Sequence, residues 1–332
     1  MIITLKKNTN LTVAETLAKK YKAIILQEPA NTLLITSSKL KTTEDADQKY
    51  FENLWVAESD IQLANAGFRS EKRNIDINGL KVGGNLNETL LIAGPCSIES
   101  EEQIEQSAQF LKSQGIQALR AGSYKPRTTP YGFQGLGKKG LELLVKMREK
   151  YGFKIVTEVR DATHVQEVIA HADVVQIGAK AMYDHGILRA CGNSIKPVLL
   201  KRGFGSTLQD VVQAAEFILS SGNPNVMICE RGIRTFETKT RFTLDLCGAV
   251  YLKHKTNLPV ILDPSHPMGF AYGVPDLARS CMALGVDGLL IETHPNPKEA
   301  LSDAAQQLTH DEFADLKNDL TKVGQAVNRK LV

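Results

Sequence analysis

From residue 89 onward, short apolar runs alternate with longer amphipathic stretches almost to the end of the chain. The runs are LLIAG (90–94), QALRAG (117–122), KIVTEV (154–159), DVVQIG (173–178), PVLLK (197–201), VMICE (226–230), PVILD (259–263) and GLLIE (288–292). They are short, rich in β-branched and aliphatic residues and bounded by Gly, Pro or charge, the pattern of strands buried on both faces of a parallel sheet. Residues 100–114, 138–150, 207–221 and 274–284 carry the helical period between them. Eight βα units in about 240 residues match the size of a (β/α)8 barrel. A doubly wound open sheet is the alternative. Even spacing and the lack of a GxGxxG loop favour the closed barrel.

The first 65 residues follow a different pattern. MIITLK alternates as a strand, and Asn10 or Thr12 is placed to cap a helix running through Lys20. KAIILQ and TLLITS read as strands around a Pro/Asn turn, TEDADQKYFEN as a helix and LWVAESDIQLA as a last strand. The order βαββαβ predicts a small ferredoxin-like α+β domain over residues 1–65. Residues 66–88 read as linker and barrel floor, with a short hairpin around IDINGLKVGG, and residues 89–332 as the barrel.

Composition narrows the function. The 332 residues carry a net charge of only +3, with no basic run interleaved with aromatics, which argues against nucleic acid. No apolar stretch reaches the roughly 18–20 residues of a membrane span, and MIITLKKNTN turns polar too soon for a signal peptide. A cytoplasmic protein is expected. Five widely spaced cysteines without a CxxC pair fit neither a disulfide framework nor a zinc finger. Four of them, Cys191, Cys229, Cys247 and Cys281, read as packing residues. Cys96 stands just past a strand, in AGPCSIES, where a packing thiol, a nucleophile and a metal ligand are all open readings.

Barrels of this kind carry chemistry at the C-terminal ends of their strands. Those ends hold Cys96; Arg120, Lys125 and Arg127; Glu158; Gln176 and Lys180; Lys201 and Arg202; Glu230, Arg231 and Arg234; Asp263 and His266; and Glu292 and His294, with Asp303 shortly beyond. Arg120, Lys125, Arg127, Lys180, Lys201, Arg231 and Arg234 would converge on one mouth, enough cations for two anionic substrates bearing phosphate or carboxylate. One or two of them are expected to pair with Glu158, Glu230 or Asp263 instead. Cys96, His266, Glu292 and Asp303 make a mixed soft and hard donor set able to take a divalent first-row metal.

AGPCSIES, RAGSYKPRTTPYGFQGLG, VTEV, VQIGA, PVLLKRG, CERGIRTFE, LPVILDPSHPMG and IETHPNPKEALSDAAQQL together resemble the 3-deoxy-D-arabino-heptulosonate 7-phosphate (DAHP) synthases, over residues 89 to about 315. The resemblance points to the type I beta branch, related to 3-deoxy-D-manno-octulosonate 8-phosphate (KDO8P) synthase. It implies a TIM barrel that condenses phosphoenolpyruvate with erythrose 4-phosphate and releases phosphate, the first step of the shikimate pathway. It also implies a divalent metal (Mn, Fe, Co or Zn) on Cys96, His266, Glu292 and Asp303. By the same resemblance Arg120, Lys125, Lys201 and Arg231 hold phosphoenolpyruvate, with Lys180 where the family has arginine. Arg127 and Thr128 match the grip on erythrose 4-phosphate, and Glu158 lies near the reacting carbons. Lys125, Glu158, His266 and Cys96 form the implied catalytic group. A dimer or tetramer, and an aromatic amino acid effector acting through the N-terminal domain, are further implications.

Two segments depart from the family pattern. GAKAMYDHG replaces Gly-Ala-Arg-Asn, so Lys180 keeps the charge but loses the bidentate fork. PMGFAYGVPD follows His266 where a Gly-Arg-Arg segment is usual. They motivate the reading of a non-catalytic sensor homologue. Against it, unpaired buried ionisable groups cost stability and have no physical reason to persist without a ligand. A KDO8P-type activity on arabinose 5-phosphate is the other alternative, and KPRT at 125–128 favours the four-carbon sugar over it.

Overall fold

The structure, a computed structural model, describes residues 1–125 and 129–332. An N-terminal unit comprises β1 (Ile2–Leu5), α1 (Leu11–Tyr21), β2 (Ile24–Gln27), β3 (Thr32–Ile35) and β4 (Phe51–Trp55). Its strands form one sheet in the order β2-β3-β1-β4, every pairing antiparallel. Asn10 caps α1 by accepting from the Val13 N–H, and Leu17, Ile3, Leu34 and Phe51 close the core between helix and sheet.

Two expectations fail here. TEDADQKYFEN is not an α-helix but a short 3-10 helix over Asp45–Tyr50, none of whose residues is buried. A helix needs an apolar face to be held, and this one has none. Lys20 and Tyr21 of α1 instead tether Asp47, at 2.6 and 2.5 Å. The last strand starts earlier than LWVAESDIQLA, because Phe51 is drawn in to pair with Leu5, and it ends at Trp55.

A hairpin of β5 (Asn74–Ile77) and β6 (Leu80–Gly83) follows. The barrel then runs β7 (Glu88–Gly94), α2 (Glu101–Ser113), β8 (Ala118–Arg120), α3 (Lys138–Tyr151), β9 (Lys154–Val159), α4 (Val165–His171) and β10 (Val174–Ile177). Its second half is α5 (His185–Gly192), β11 (Val198–Lys201), α6 (Leu208–Ser220), β12 (Val226–Glu230), α7 (Leu246–Lys255) and β13 (Val260–Leu262). It ends with α8 (Ser265–Met268), α9 (Val274–Ala283), β14 (Gly288–Glu292), α10 (His310–Ala326) and β15 (Lys330–Leu331). Strands β7 to β14 pair in sequence and all in parallel. Pairing of β14 with β7, from Gly288↔Leu90 to Glu292↔Gly94, closes the ring. The eight strands are those the sequence predicts.

Ile75, Ile77, Leu80 and Val82 of the hairpin join Leu90, Ile92, Ala118, Leu199 and Ile261 in one apolar cluster. The hairpin therefore packs across the N-terminal end of the barrel. The N-terminal sheet lies against the barrel's flank, where Ile2, Leu33 and Ile35 share a core with Ile218 and Leu219 of α6. Glu216 of α6 accepts the backbone N–H groups of Gln62, Leu63 and Ala64 at 2.8, 3.1 and 2.7 Å. Cys191, Cys229 and Cys281 are buried as expected; Cys247, in the first turn of α7, faces solvent and is no packing residue. Among the described residues no helix is long and apolar enough to cross a membrane.

Candidate active site

The site grows from the ends of the strands, and glycine lets those ends approach. Gly94 closes β7 with φ +148°, and a Cβ there would fall 2.2 Å from the Arg120 carbonyl oxygen. The chain then turns through Pro95, whose carbonyl accepts from Arg120 Nη1 at 2.8 Å, and delivers Cys96 to the barrel mouth. Gln307 fixes that turn by accepting the Cys96 N–H at 2.9 Å.

Cys96, Glu292 and Asp303 each present one donor atom within 4.8 Å of the others. The Cys96 thiol donates to Asp303 Oδ2 at 3.2 Å, and Lys125 Nζ lies 3.0 Å from the same sulfur. His266 Nε2 faces this group, 3.7 Å from Glu292 Oε1. Its other ring nitrogen, Nδ1, lies 2.7 Å from Asp263 Oδ2. A carboxylate there favours the proton on Nδ1 and leaves the Nε2 lone pair toward the cluster, the usual orientation for a ligating imidazole. Burial lowers the His266 pKa from its ordinary value, against the pull of Asp263. Burial and the neighbouring Glu292 push the Cys96 thiol up to about 12. The thiol is therefore protonated until a cation displaces the proton. Burial opposes ionisation of Glu292, yet His266 and Arg120 hold it below the usual carboxylate range. One sulfur, one nitrogen and two carboxylates in this arrangement fit a divalent first-row metal.

Beside this group is a cavity of about 400 Å³. Lys125, Lys180, Lys201, Arg231, Arg234 and Arg241 line it, facing Glu158, His266 and Asp303. The ion pairs divide the expected cations into two sets. Lys201 is paired with Asp263 at 2.5 Å, and both are buried. Arg202 turns away from the cavity to Glu230 at 2.9 Å and Asp245 at 2.8 Å. Arg120 is buried against Glu292 at 2.9 Å. Its Nε has no hydrogen-bond partner among the described residues, a donor that an anionic group would satisfy. Arg231 is buried under the Phe242 ring, its guanidinium carbon 4.3 Å from the centroid. Glu158 accepts from Gln176 at 2.6 Å. Gly178 makes room for it, since a Cβ there would meet Glu158 Oε1 at 2.3 Å. Arg127 and Thr128 lie outside the described residues.

Sequence reasoning gave Asp263 only as a charge partner and missed Arg241, Gln306, Phe204 and Phe242. Asp263 organises the whole β13 exit: it accepts the N–H groups of Ser265 and His266, holds Lys201 and orients the imidazole. Gln306 donates to Glu292 Oε2 at 2.6 Å. Phe204 and Phe242 stack with centroids 5.4 Å apart on the cavity wall. No strand end marks these loop positions. The one available signal was the density of arginine and aromatic residues in RGIRTFETKTRF.

Comparison with known proteins identifies the family. The model of the DAHP synthetase I family matches residues 68–329. A phospho-2-dehydro-3-deoxyheptonate aldolase from Thermotoga maritima is 41% identical over 287 residues, covering 85% of this chain and 84% of its own length. A 2-dehydro-3-deoxyphosphooctonate aldolase from Francisella tularensis is 35% identical over 239 residues, covering 66% and 86%. The crystal structure of the Thermotoga maritima DAHP synthase superposes with a TM-score of 0.80 at 35% identity, covering 100% of this chain and 98% of that one. A truncated form of DAHP synthase from the same organism covers 81% of this chain with a TM-score of 0.76. With the match to its model spanning the hairpin floor, all eight strands and every described residue of the cavity, this chain belongs to the DAHP synthetase I family.

Proposed function

We propose that this chain condenses phosphoenolpyruvate with erythrose 4-phosphate to give 3-deoxy-D-arabino-heptulosonate 7-phosphate and phosphate. The reaction opens the shikimate pathway toward chorismate and the aromatic amino acids. The observation that carries the reading is a cavity lined, among the described residues, by six cations, beside a cluster of Cys96, Glu292 and Asp303 that His266 faces. Such a density of positive charge suits two phosphorylated substrates, and a Lewis acid at its edge suits an aldehyde acceptor.

The roles of individual side chains are those the family resemblance implies, and the setting of the described ones supports them. Arg120, Lys125, Lys180, Lys201 and Arg231 hold phosphoenolpyruvate through its phosphate and carboxylate. Burial of Lys201 and Arg231 removes competing water and strengthens their pull on an anion. Arg127 and Thr128 hold the phosphate of erythrose 4-phosphate. Glu158, in the cavity wall, steadies charge near the reacting carbons. Cys96, His266, Glu292 and Asp303 hold the divalent metal, Mn, Fe, Co or Zn, which when bound polarises the aldehyde of the acceptor sugar. Lys125 touches both the ligand thiol and the cavity, a placement suited to holding or passing a proton at the interface of the two.

The chain falls in the type I beta branch on this reading. Residues 1–65 form a ferredoxin-like regulatory domain, 66–88 the linker and floor, and 89–332 the catalytic barrel. A dimer or tetramer is the assembly. An aromatic amino acid is the effector, and a cavity of about 380 Å³ between Ile24 and Ile35 of the N-terminal sheet and Phe217 of α6 supports it.

The test is a chelator-and-rescue assay. Protein treated with EDTA is given phosphoenolpyruvate with erythrose 4-phosphate or with arabinose 5-phosphate, and enolpyruvate loss is followed with and without Mn(II). Turnover that needs metal and erythrose 4-phosphate, is lost in Cys96→Ala and falls when tyrosine or phenylalanine is added is the expected result. Turnover with arabinose 5-phosphate alone would transfer the reading to a KDO8P-type reaction. No turnover with either sugar would leave the non-catalytic homologue.

A further inference from the structure

Arg241 sits in the loop between β12 and α7, eleven residues past the strand end. The loop folds back on itself through a bridge of Ile233 with Thr243, and Arg241 N and Phe242 N donate to the carbonyls of Met268 and Pro267. That places the Arg241 side chain on the cavity wall although its own strand end is remote.

Its guanidinium meets the metal-site turn at both ends. Arg241 Nη1 donates to Gln306 Oε1 at 2.8 Å and to Asp303 Oδ1 at 3.3 Å. Gln306 in turn donates to Glu292 Oε2 at 2.6 Å. Two of the four donor groups thus hang on one arginine, Asp303 directly and Glu292 through one amide. Asp303 needs such a hold. It adopts φ +47°, a left-handed conformation that a non-glycine residue keeps only where its surroundings impose it. The side chain of Arg241 is itself 42% exposed, so burial does not fix it. The ring of Phe242, 5.5 Å from its guanidinium carbon, supports it.

We propose that Arg241 is a positioning residue for the metal: it staples the Asp303–Gln306 turn and so sets the geometry of both carboxylate ligands. The inference rests on the metal reading above. Electrostatics alone gives the opposite sign. A cation near a dication repels it, and deleting the cation should tighten metal binding. Positioning predicts that deletion weakens it, by about tenfold or more, the usual loss when an outer partner of a ligand is removed.

The experiment titrates metal-free protein with Co(II) against a competing chelator and reads the thiolate-to-cobalt charge-transfer band, with no substrate present. Arg241→Gln is expected to raise the dissociation constant about tenfold. Arg241→Lys, which keeps the charge on a shorter side chain without the planar head, falls between that variant and the native chain. Arg234→Gln removes the same charge from the same cavity wall and leaves affinity unchanged or tighter. Gln306→Met weakens binding, and the double variant is less than additive, since the two residues act on one turn. An Arg241→Gln chain that binds cobalt as tightly as the native one, or more tightly, overturns the proposal, as does full additivity with Gln306→Met. A native chain without the band overturns the metal reading and this inference together.

Discussion

The floor and the mouth of this barrel are made by the same eight strands, and they are held together by opposite means. At the floor, Ile75, Ile77, Leu80 and Val82 join Leu90, Ile92 and Ala118 in one apolar cluster. At the mouth, Lys201 with Asp263 and Arg120 with Glu292 are as deeply buried, and each of these four charges is answered by another. Burying an apolar side chain stabilises the fold by about 1.5–3 kcal/mol. Burying an ion pair roughly breaks even against a hydrophobic pair of the same shape. The floor therefore supplies stability, and the mouth spends it on groups whose purpose is outside the fold. A barrel needs only one such end to stand; the other is free to carry chemistry.

The largest effect that tests this contrast is at Lys201. Lys201→Met leaves Asp263 buried with the imidazole and two backbone N–H groups as its remaining partners. Breaking one side of a buried pair costs about 3–5 kcal/mol. Loss of a charge clamp on a phosphoryl group costs on the order of 10²–10³-fold in rate. Both should appear together, in urea denaturation and in kcat/KM. A variant that loses activity with unchanged stability would mean that the pair is not strained by its isolation. The mouth would then cost the fold less than the contrast requires.

Ile75→Ala is the counterpart at the floor. Ile75 is fully buried, and its truncation should cost about 2–5 kcal/mol through lost burial and the void left behind. The urea midpoint should fall accordingly while kcat and KM stay within about twofold of native, since the hairpin lies at the end of the barrel away from the cavity. A fall in kcat comparable to that of Lys201→Met would break the separation of the two ends.

The same contrast decides what the sequence makes legible. Floor and strands follow from local pattern, because an apolar run bounded by Gly, Pro or charge has few alternatives to a buried strand. Charged strand ends are legible too, which is why Cys96, Glu158, Lys201, His266 and Glu292 were placed before any geometry. Arg241, Gln306 and Phe242 were not, because their positions depend on how one loop folds onto the segment after His266. That tertiary contact leaves no periodicity behind. The segment around Asp47 failed for the reverse reason: its local pattern favours a helix, but it offers no apolar face for the sheet to hold.

The smallest expected effect concerns a group that belongs to neither regime. His310, at the start of α10, stacks on Phe110 with ring centroids 4.0 Å apart and planes 5° from parallel. Its Nε2 is buried without a hydrogen-bond partner among the described residues. It lacks both the apolar character of the floor and the paired charge of the mouth. Burial, with a smaller push from His294 and against the pull of Asp311, lowers its pKa to about 4. In the unfolded chain it titrates near 6.5. A depressed folded-state value means that stability is fully present above about pH 6.5 and is lost as pH falls toward 4, because the unfolded chain takes up the proton first. After discounting for its partial exposure, the loss should be on the order of 1 kcal/mol. His310→Phe keeps the stack and removes the titration. Urea unfolding of the two proteins at pH 7 and pH 4.5 should therefore show a smaller loss in the variant, although the carboxylates make both less stable in acid. Equal losses would mean that His310 reaches solvent and takes its proton in the folded chain as readily as in the unfolded one.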